Sequence, residues 1–499
     1  MKRVLVAAAA AALLAPAWHL GTAGAAAPPI PALPTDMLSG GFHGTAARPR
    51  PITPPHTAQN PFLSPDGTNT MHDDAYATDA YRVSGPLGRN LQVRSASYGV
   101  SECATVAFDS RHHLVGLCGG LEGFAMRLID PTTLDQIASL TTSRREVGLS
   151  NPFTDLCGGT YFYLDHHDQA YLLTTKKQIW RVQVGARTLT HDRTYDLAAA
   201  VPGKDCVIAT LPDWKGRIFF ATQQGRVGVV DPRTGAVHTL RFAGQGIVNS
   251  MAGDESGAIY VVTTHRLAAV AADRNGVPHV RWSVPYDRGS EQKPGQLSQG
   301  SGTTPTLVGR DVVAITDNAD PRMHVSFYDR RPGVRHRLLC SAPVFAPGRS
   351  DTENSLAVSG RSVIVENNYG YTGVQATTLG RTTTAGIAKV VLRTHRAADG
   401  EITHRCPVVW TSTVTAPTSV PKVSWGNGLL YVYAKPASNP LDDSWYLTAI
   451  DTHTGHTVWQ QRTGNGIQWN NHYAAIYLGP DGTAYIATLA GLIRFADGS

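Results

Sequence analysis

Short apolar runs separated by turn residues recur along most of the chain. From about Leu91 onward, runs rich in β-branched and aromatic residues alternate with glycine, aspartate, asparagine and proline. Each unit of the pattern predicts a strand, a tight turn, a second strand, a loop, a third strand, a turn and a weaker fourth strand. Four strands repeating every ~40–50 residues are typical of a β-propeller, whose blades stand around a central channel.

Eight such units follow one another, which predicts an all-β fold: a single β-propeller of eight four-stranded blades. The eighth unit ends after its third strand, because the sequence stops at Ser499. Its fourth strand is predicted to come from Leu91 to Tyr98, which would close the ring by pairing its two ends and hide the edge strands. Seven blades are the alternative if one unit is an insertion.

Three segments of different composition divide the chain. Residues 1–25 have two basic residues, an apolar run and a small-residue cleavage site, as in a signal peptide. Residues 26–90 are a Pro- and Ala-rich extension with a lead-in segment, and the part up to about residue 60 is predicted to be flexible because it offers no apolar face to bury. Residues 91–499 form the propeller. No later run reaches the ~18 apolar residues of a membrane helix, so we predict a secreted, extracellular protein with no membrane span.

The charge balance argues against one class of partner. Removing Lys2 and Arg3 with the signal peptide lowers the formal net charge from +6 to +4, which is small for 499 residues. No basic stripe with interleaved aromatic residues is present, so no nucleic-acid partner is predicted. We expect a monomer whose partner is a polar small molecule or a polysaccharide.

Six cysteines fit an oxidising compartment. Cys103 and Cys118 flank a predicted hairpin symmetrically and are placed to face each other across its two strands. The other predicted pairs, Cys157–Cys206 and Cys340–Cys406, would each join neighbouring units. Six cysteines allow fifteen connectivities, so other pairings and free buried thiols are the alternatives.

One repeat motif carries a family resemblance. Residues 449–459 fit the pattern A-x-D-x-x-T-G-x-x-x-W, and Asp231 to Gly235 keep half of it. With turns such as Gly479 to Tyr485, the chain resembles secreted actinobacterial propellers of the quinoprotein-like (PQQ-like) type, a group that implies no settled reaction. An alcohol dehydrogenase of the quinoprotein kind would be expected to contain a vicinal Cys-Cys, which this sequence lacks. No cofactor is therefore predicted, and neither PQQ nor Ca²⁺ has support in the sequence.

Two histidine pairs, His112-His113 and His166-His167, fall in predicted turns between first and second strands. In propellers these turns lie opposite the face where ligands usually bind. No HExxH or CxxC framework accompanies them. We interpret them as solvated turn residues, and no metal site is predicted.

The candidate site follows from the same geometry. The first strand of a blade begins, and the second ends, at the ligand face, and in units five to eight these positions are rich in acids, amides and tyrosine. Four are predicted to be catalytic, Glu366, His472, Glu353 and Asp317, and nine to bind substrate: Asn318, Asp320, Asn354, Asn367, Asn368, Tyr369, Lys422, Asn470 and Asn471.

Convergent carboxyl, amide and imidazole groups suit acid–base chemistry on a sugar-like ligand. A lyase would use a base such as His472 or Tyr369 and a cation such as Lys422. The alternative for each residue is structural, since Asn and Asp often satisfy loop backbone at strand ends. The insertion Thr377–Val390 and the lead-in segment Asp74–Gly88 are expected to cover the mouth.

Three functions stay open from the sequence. The first is an extracellular hydrolase or lyase that acts on a carbohydrate or another polar substrate at the propeller mouth. The second is a non-enzymatic propeller that binds a cell-envelope partner or polymer. The third is a PQQ-dependent oxidoreductase.

Overall fold

The computed structural model describes residues 26–32, 41–121, 123–144, 157, 158 and 161–498. The predicted signal peptide lies outside the described residues. Within these ranges, strands make up nearly all of the regular structure, and the helical elements are the two 3₁₀ turns Val374–Thr377 and Ile467–Trp469. The fold is all-β, as predicted.

The first half of the ring consists of four antiparallel blades of four strands each. Three strands precede them: β1 (Phe42–Gly44), β2 (Ala80–Tyr81) and β3 (Gln92–Ser97). Blade 1 contains β4 (Ser101–Phe108), β5 (Leu114–Gly120), β6 (Gly123–Ile129) and β7 (Gln136–Arg144); blade 2 contains β8 (Phe162–Leu164), β9 (Gln169–Leu173), β10 (Gln178–Val184) and β11 (Leu189–Asp196); blade 3 contains β12 (Val207–Pro212), β13 (Ile218–Thr222), β14 (Arg226–Val230) and β15 (Val237–Arg241); blade 4 contains β16 (Ala252–Gly253), β17 (Ile259–Val262), β18 (Arg266–Ala272) and β19 (Pro278–Pro285).

The second half repeats this plan with two additions, a hairpin in blade 6 and extra strands on blade 7. Blade 5 contains β20 (Thr306–Val308), β21 (Val312–Thr316), β22 (His324–Asp329) and β23 (Leu338–Pro343); blade 6 contains β24 (Ala357–Ser359), β25 (Ser362–Glu366), β26 (Ile387–Val391) and β29 (Val408–Ser412), with the hairpin β27 (Arg393–Arg396) and β28 (Ile402–Arg405); blade 7 contains β30 (Lys422–Ser424), β31 (Leu429–Ala434), β32 (Ser444–Asp451) and β33 (Thr457–Asn465); blade 8 contains β34 (Ile476–Leu478), β35 (Ala484–Thr488) and β36 (Gly491–Ala496).

Blade 8 is completed by the N-terminal strand β3. This strand pairs antiparallel with β36, from Gln92 opposite Ala496 to Ser97 opposite Gly491. The eight blades and the closure of the ring by the two ends of the propeller are therefore confirmed. Closure removes the free strand edges that would otherwise template aggregation.

The repeat motif forms the turn between the third and fourth strands of blade 7. Asp451 Oδ1 accepts the backbone N–H of His453 at 2.7 Å, and Gly455 has a φ of 77°. Trp459 is fully buried and packs beside Tyr431, with ring centroids 6.2 Å apart. The aspartate and the glycine shape the turn, and the tryptophan fills the space behind it.

The three disulfides have the predicted connectivity. Cys103–Cys118 joins directly opposed residues of β4 and β5, and the other bonds are Cys157–Cys206 and Cys340–Cys406. Such bonds are typical of proteins that fold in an oxidising environment. In the part of the chain that the structure describes, no helix has the length and apolar character needed to cross a membrane.

The residues before the propeller pack against it, which differs from the expected flexible extension. Ile30 and Ala47 are buried, and β1 adds to the outer edge of blade 7 by pairing with β33. The chain then enters the central channel as residues 60–82, which we call the channel plug. Most residues of the channel plug are buried, and β2 within it pairs parallel to β30.

Hydrogen bonds tie the channel plug to the first strands of blades 1 to 7. The bonded residues of the blades lie mainly at the strand ends away from the predicted mouth. The channel plug therefore closes the channel from the face opposite the mouth. The lead-in segment therefore does not cover the mouth. The bonds are Phe108 N to Thr68 O (3.0 Å), Leu164 N to Asn69 O (2.9 Å), Asn60 Nδ2 to Pro212 O (2.9 Å), Gly253 N to Ala75 O (2.7 Å), Leu307 N to Tyr76 O (2.9 Å), Val358 N to Thr78 O (2.8 Å) and Val423 N to Asp79 O (3.0 Å).

Candidate functional site

Glu366 anchors the candidate site at the mouth, where it is the last residue of β25. Its Oε1 accepts hydrogen bonds from Asn354 Nδ2 and, at 2.9 Å, from Asn368 Nδ2. The two amides also donate to backbone oxygens, Asn354 to Ser419 at 3.1 Å and Asn368 to Pro417 at 2.9 Å. These bonds hold the Glu366 carboxyl at the junction of blades 6 and 7.

Two further carboxyls, those of Asp351 and Glu353, lie in the segment that leads into blade 6. Glu353 Oε1 accepts the N–H of Leu297 at 2.7 Å. Its Oε2, both oxygens of Asp351 and Oε2 of Glu366 are buried without a hydrogen-bond partner. We call Asp351, Glu353 and Glu366 the acid group. Unpaired buried oxygens are rare in proteins and indicate protonation, ordered water or a ligand.

Burial changes the protonation of the acid group. It raises the pKa of Asp351 to about 8. The neighbouring Glu353 adds to this rise, whereas Lys293 opposes it. Burial also raises the pKa of Glu353 to about 8, although backbone N–H groups oppose the change. For Glu366, burial raises the pKa well above its ordinary value despite the two amides. With pKa values of about 8, the Asp351 and Glu353 carboxyls are protonated at neutral pH and offer hydrogen-bond donors. The raised pKa of Glu366 favours its neutral form in the same way.

A tyrosine–histidine pair lies beside the acid group. Tyr371 Oη is 2.9 Å from His472 Nδ1 and 3.4 Å from Asn470 Oδ1. The Tyr473 ring meets the Tyr371 ring edge-on at 5.4 Å, and its Oη donates to Gly295 O at 3.0 Å. Burial is the main cause that raises the pKa of Tyr473, and all three carboxyls of the acid group add to it. The acid-group carboxyls and the two tyrosines are therefore neighbours at the mouth.

The backbone at this pair is strained. His472 and Tyr473 have φ values of 35° and 68°, a region that non-glycine residues seldom adopt. Asn470 Oδ1 accepts the N–H of His472 at 2.8 Å and holds the turn. Such conformations cost free energy and cluster at functional sites.

Three loops cover the mouth: the connection of blades 4 and 5 (286–305), the blade 6 insertion (367–386) and the segment 466–475. Gly370 N donates to Pro294 O at 2.6 Å, which joins the first loop to the second. Asn470 Nδ2 donates to Thr377 Oγ1 at 2.9 Å and joins the second to the third. Of the predicted insertion Thr377–Val390, residues 377–386 lie in this covering loop, whereas Ile387–Val390 belong to β26.

The channel plug forms the floor below the acid group. Its His72 has Nδ1 3.2 Å from both carboxylate oxygens of Asp79 and Nε2 3.2 Å from Thr304 Oγ1. Burial raises the pKa of Tyr161, and Glu353 and Asp79 both add to it. Tyr161 therefore lies between the acid group above and the plug below.

Lys422, predicted to bind substrate, is bound by the channel plug instead. The lysine is fully buried, and its Nζ pairs with Asp79 and lies 3.5 Å from Asp73 Oδ1. It also donates to Met71 O at 2.5 Å. The sequence could not show this, because the plug and blade 7 are more than three hundred residues apart along the chain.

Three predicted residues of blade 5 do not join the acid group. Asp317 accepts the backbone N–H and Nδ1 of His324 at 2.6 and 2.9 Å. Asn318 Nδ2 donates to the backbone oxygens of Arg288 and Glu291, and Asp320 accepts the N–H of Ser290 at 2.7 Å. These side chains shape the mouth loops rather than line the space below them.

The remaining predicted residues support loops. Asn367 Nδ2 donates to Arg349 O at 2.9 Å, and Asn367 Oδ1 accepts the N–H of Tyr369 at 3.2 Å. Asn471 Nδ2 donates to Ala474 O at 3.0 Å. Of the thirteen predicted residues, the structure gathers these six around the mouth space: Glu353, Asn354, Glu366, Asn368, Asn470 and His472.

Sequence reasoning missed several residues of the mouth. Asp351 precedes the predicted Glu353 by two positions, Tyr371 follows Tyr369 by two and Tyr473 adjoins His472, so the same rule applied more widely would have found them. Glu102, at the start of β4, is the acid of blade 1 that the same rule would have added; burial raises its pKa well above the ordinary value. Nothing in the sequence pointed to His72, because the channel plug has no repeat of its own.

No family model matches the chain. An uncharacterized protein from Archaeoglobus fulgidus is 28% identical, over 74% of this chain and 74% of that protein. The quinohemoprotein alcohol dehydrogenase from Comamonas testosteroni superposes with a TM-score of 0.54 at 12% identity, covering 88% of this chain and 82% of that one. BamB from Moraxella catarrhalis gives a TM-score of 0.39 at 11% identity, covering 64% of this chain and 93% of that one. The dehydrogenase is thus a structural neighbour that supports the β-propeller fold and no particular reaction.

Proposed function

We propose that this protein is an extracellular lyase that cleaves an acidic polysaccharide at the propeller mouth by β-elimination. The observation that carries the proposal is the buried acid group next to the Tyr371–His472 pair. Together they offer proton donors, an imidazole base and amide groups in one covered space. A uronate-like substrate needs these three kinds of group.

A glycoside hydrolase fits the mouth less well. Such enzymes need one protonated carboxyl and one ionised carboxylate across the bond that breaks. Burial raises the pKa of all three acid-group carboxyls above their ordinary values, and the carboxylate of Asp317 is bound to His324. The ionised partner that hydrolysis requires is therefore missing from the acid group.

The proposed elimination uses residues that already touch one another. His472 removes the proton from the carbon next to the substrate carboxylate, and that electron pair forms a carbon–carbon double bond. The glycosidic C–O bond at the next carbon breaks, and Tyr371 donates its proton to the leaving oxygen. The substrate proton is taken by Nε2, and Nδ1 of the resulting imidazolium then gives its proton to Tyr371 across their 2.9 Å hydrogen bond. Exchange of the Nε2 proton with solvent restores the starting tautomer. No water is consumed.

The protonated acid group has a separate part in this scheme. Glu353 Oε2, Glu366 Oε2 and Asp351 lack hydrogen-bond partners, so their protons are available to the substrate carboxylate. Hydrogen bonds from neutral donors spread the charge of that carboxylate and thereby make the neighbouring C–H more acidic.

A PQQ-dependent oxidation does not suit these residues. PQQ carries three carboxylates, whereas the mouth space is lined by carboxyls. Lys422 is committed to Asp79 and Asp73, and Lys293 donates to Ala319 O at 2.7 Å. Across the described ranges, no three His, Cys, Asp or Glu side chains are arranged to hold a metal ion. We therefore assign no role to PQQ or Ca²⁺.

The test is product analysis on a panel of uronate-containing and neutral polysaccharides. Elimination yields a product with a carbon–carbon double bond that absorbs in the near ultraviolet and has not gained water, whereas hydrolysis adds one water for each bond cleaved. We expect His472→Ala and Tyr371→Phe to lower kcat at least ~100-fold. His166→Ala, on the opposite face, is the matched control and should keep its activity.

Products that have gained water would replace the lyase with a hydrolase. Wild-type rates in both mouth variants would move the site elsewhere. Absence of any cleaved product across the panel would favour the non-enzymatic propeller that binds a polymer.

A further inference from the structure

Blade 6 carries an inserted hairpin on the face opposite the mouth. The hairpin of β27 and β28 is inserted between β26 and β29, where blades 1 to 4 have short turns. Its two strands pair only with each other. We call residues 393–405 the basic hairpin.

The position of the basic hairpin follows from the direction of β26. This strand begins beside Glu366 at the mouth, where Ile387 pairs with it, and ends where Val391 pairs with Ser362. The chain that leaves β26 is therefore on the far face. A ligand of the basic hairpin would leave the mouth free.

The two strands of this hairpin carry basic side chains, whereas its two carboxylates, Asp399 and Glu401, lie in the turn between the strands. Arg393, His395, Arg396 and Arg405 are exposed, and Arg393 lies directly opposite Arg405 in the strand pair. Like charges in that position repel one another. Between residues that the structure describes, no carboxylate is within ion-pair distance of these arginines.

A disulfide holds the basic hairpin in place. Cys406, the residue after β28, is bonded to Cys340 in the outer strand of blade 5, and β28 contacts that strand. Arg335 and His336, just before the same strand, are exposed as well. The hairpin is thus fixed against a second basic turn, which lowers the conformational entropy that binding would otherwise cost.

We propose that the basic hairpin is an anchoring surface for an anionic polysaccharide. Arginine forks match sulfate, phosphate and carboxylate groups, and an anion between Arg393 and Arg405 would remove their repulsion. Residues 393–405 contain no Phe, Tyr or Trp on which bases could stack, so a polysaccharide is favoured over a nucleic acid. The proposal is independent of the lyase reaction.

The test is binding of the full disulfide-bonded protein to immobilised heparin, polygalacturonate and polyphosphate, with duplex DNA as the alternative. The variant Arg393→Gln/Arg396→Gln/Arg405→Gln removes three exposed charges. We expect it to bind at least ~10-fold more weakly, with a shallower dependence on salt concentration. The control Arg187→Gln/Arg241→Gln/Arg274→Gln removes the same charge from other exposed sites.

The two variants separate the outcomes. Loss in the hairpin variant alone supports the anchoring surface, and the preferred probe identifies the anionic group. Equal loss in both variants would mean non-specific charge attraction and would overturn the proposal, as would no binding at low salt. Tighter binding of DNA than of any polysaccharide would overturn the choice of partner. Unchanged lyase rates on short oligosaccharides in the hairpin variant would show that the two sites are separate.

Discussion

At the scale of single residues, the surroundings decide what each carboxyl does. Asp79 and Asp351 are both fully buried. Burial opposes ionisation of Asp79, but Lys422 and His72 lower its pKa below the ordinary value. Asp351 has only the more distant Lys293, so burial prevails and raises its pKa to about 8. Asp79 is therefore a buried charge, and Asp351 is a neutral hydrogen-bond donor.

The pKa of Asp351 makes stability depend on pH. Its folded pKa of about 8 exceeds the ordinary 3.8, so between these values the folded protein holds a proton that the unfolded chain releases. The contribution of Asp351 to stability is therefore greatest below about pH 4 and falls as the pH rises from about 4 to about 8. We expect Asp351→Asn to remove this loss, which amounts to up to ~1.4 kcal/mol in the free energy of unfolding for each pH unit.

Urea unfolding of wild type and Asp351→Asn at several pH values between ~4 and ~9 checks this prediction. The free energy gained by the variant should grow with pH and level off above about pH 8. Asp399→Asn, in the exposed tip of the basic hairpin, should follow the wild-type curve. A variant that is less stable than wild type at every pH would mean that Asp351 is ionised.

At the scale of elements, close contacts between loops define the mouth. Gly295, in the connection of blades 4 and 5, has a φ of 128°, and a Cβ there would lie 2.5 Å from Asn368 O and 2.8 Å from Asp351 Oδ1. Only a glycine lets this loop approach the acid group so closely.

We expect Gly295→Ala to displace the covering loop and to reduce lyase activity at least ~10-fold, since small misplacements at an active site are costly. The matched control is Gly309→Ala, whose φ is also positive at 64° but whose Cβ would meet no atom within 4 Å. Both variants place an alanine at a positive φ, with more strain at 128° than at 64°, whereas a clash with other atoms is confined to Gly295→Ala. Equal activity of the two variants would mean that the loop does not cover a functional site.

The channel plug is joined to blade 7 through a buried charge. Lys422→Met leaves Asp79 without its counter-charge, and we expect a loss of ~3–5 kcal/mol in the free energy of unfolding. Lys422→Met/Asp79→Asn should recover most of that loss, because no charge is then left unpaired. Chemical denaturation of the two variants checks the prediction. An equally large loss in the double variant would indicate that Lys422 acts through packing alone.

At the scale of the whole molecule, the chain closes the propeller twice. Strand β3 completes blade 8, and the channel plug bonds to the first strands of blades 1 to 7. Both devices come from residues before Ser101, so the N-terminal part holds the ring together at its rim and at its centre.

A chain that begins at Leu91 keeps β3 but loses the plug. We expect it to expose the apolar and charged channel wall and to melt at a markedly lower temperature, or to aggregate. A chain that begins at Gly41 keeps both devices and should melt close to the full-length protein. Thermal unfolding of the three chains checks this, and equal melting temperatures would mean that the plug adds nothing to stability.

The sequence by itself determined the features that depend on local pattern. The recurring apolar runs and the turn residues between them predicted eight blades, and the symmetry of Cys103 and Cys118 about their hairpin predicted that disulfide. The position of residues such as Glu353, Glu366 and His472 at strand ends predicted their common face, because every blade repeats the same strand directions.

Tertiary structure alone decided which of these side chains meet and in what state. Lys422 and Asp317 have the residue types and positions of a site, yet Lys422 is bound by the distant channel plug and Asp317 by His324 at the start of the next strand. The channel plug has no periodicity because its hydrogen-bond partners are spread over seven blades. Protonation of the acid group depends on the covering loops that exclude water from it, and burial of that kind is a property of the assembled ring and not of any segment of the chain.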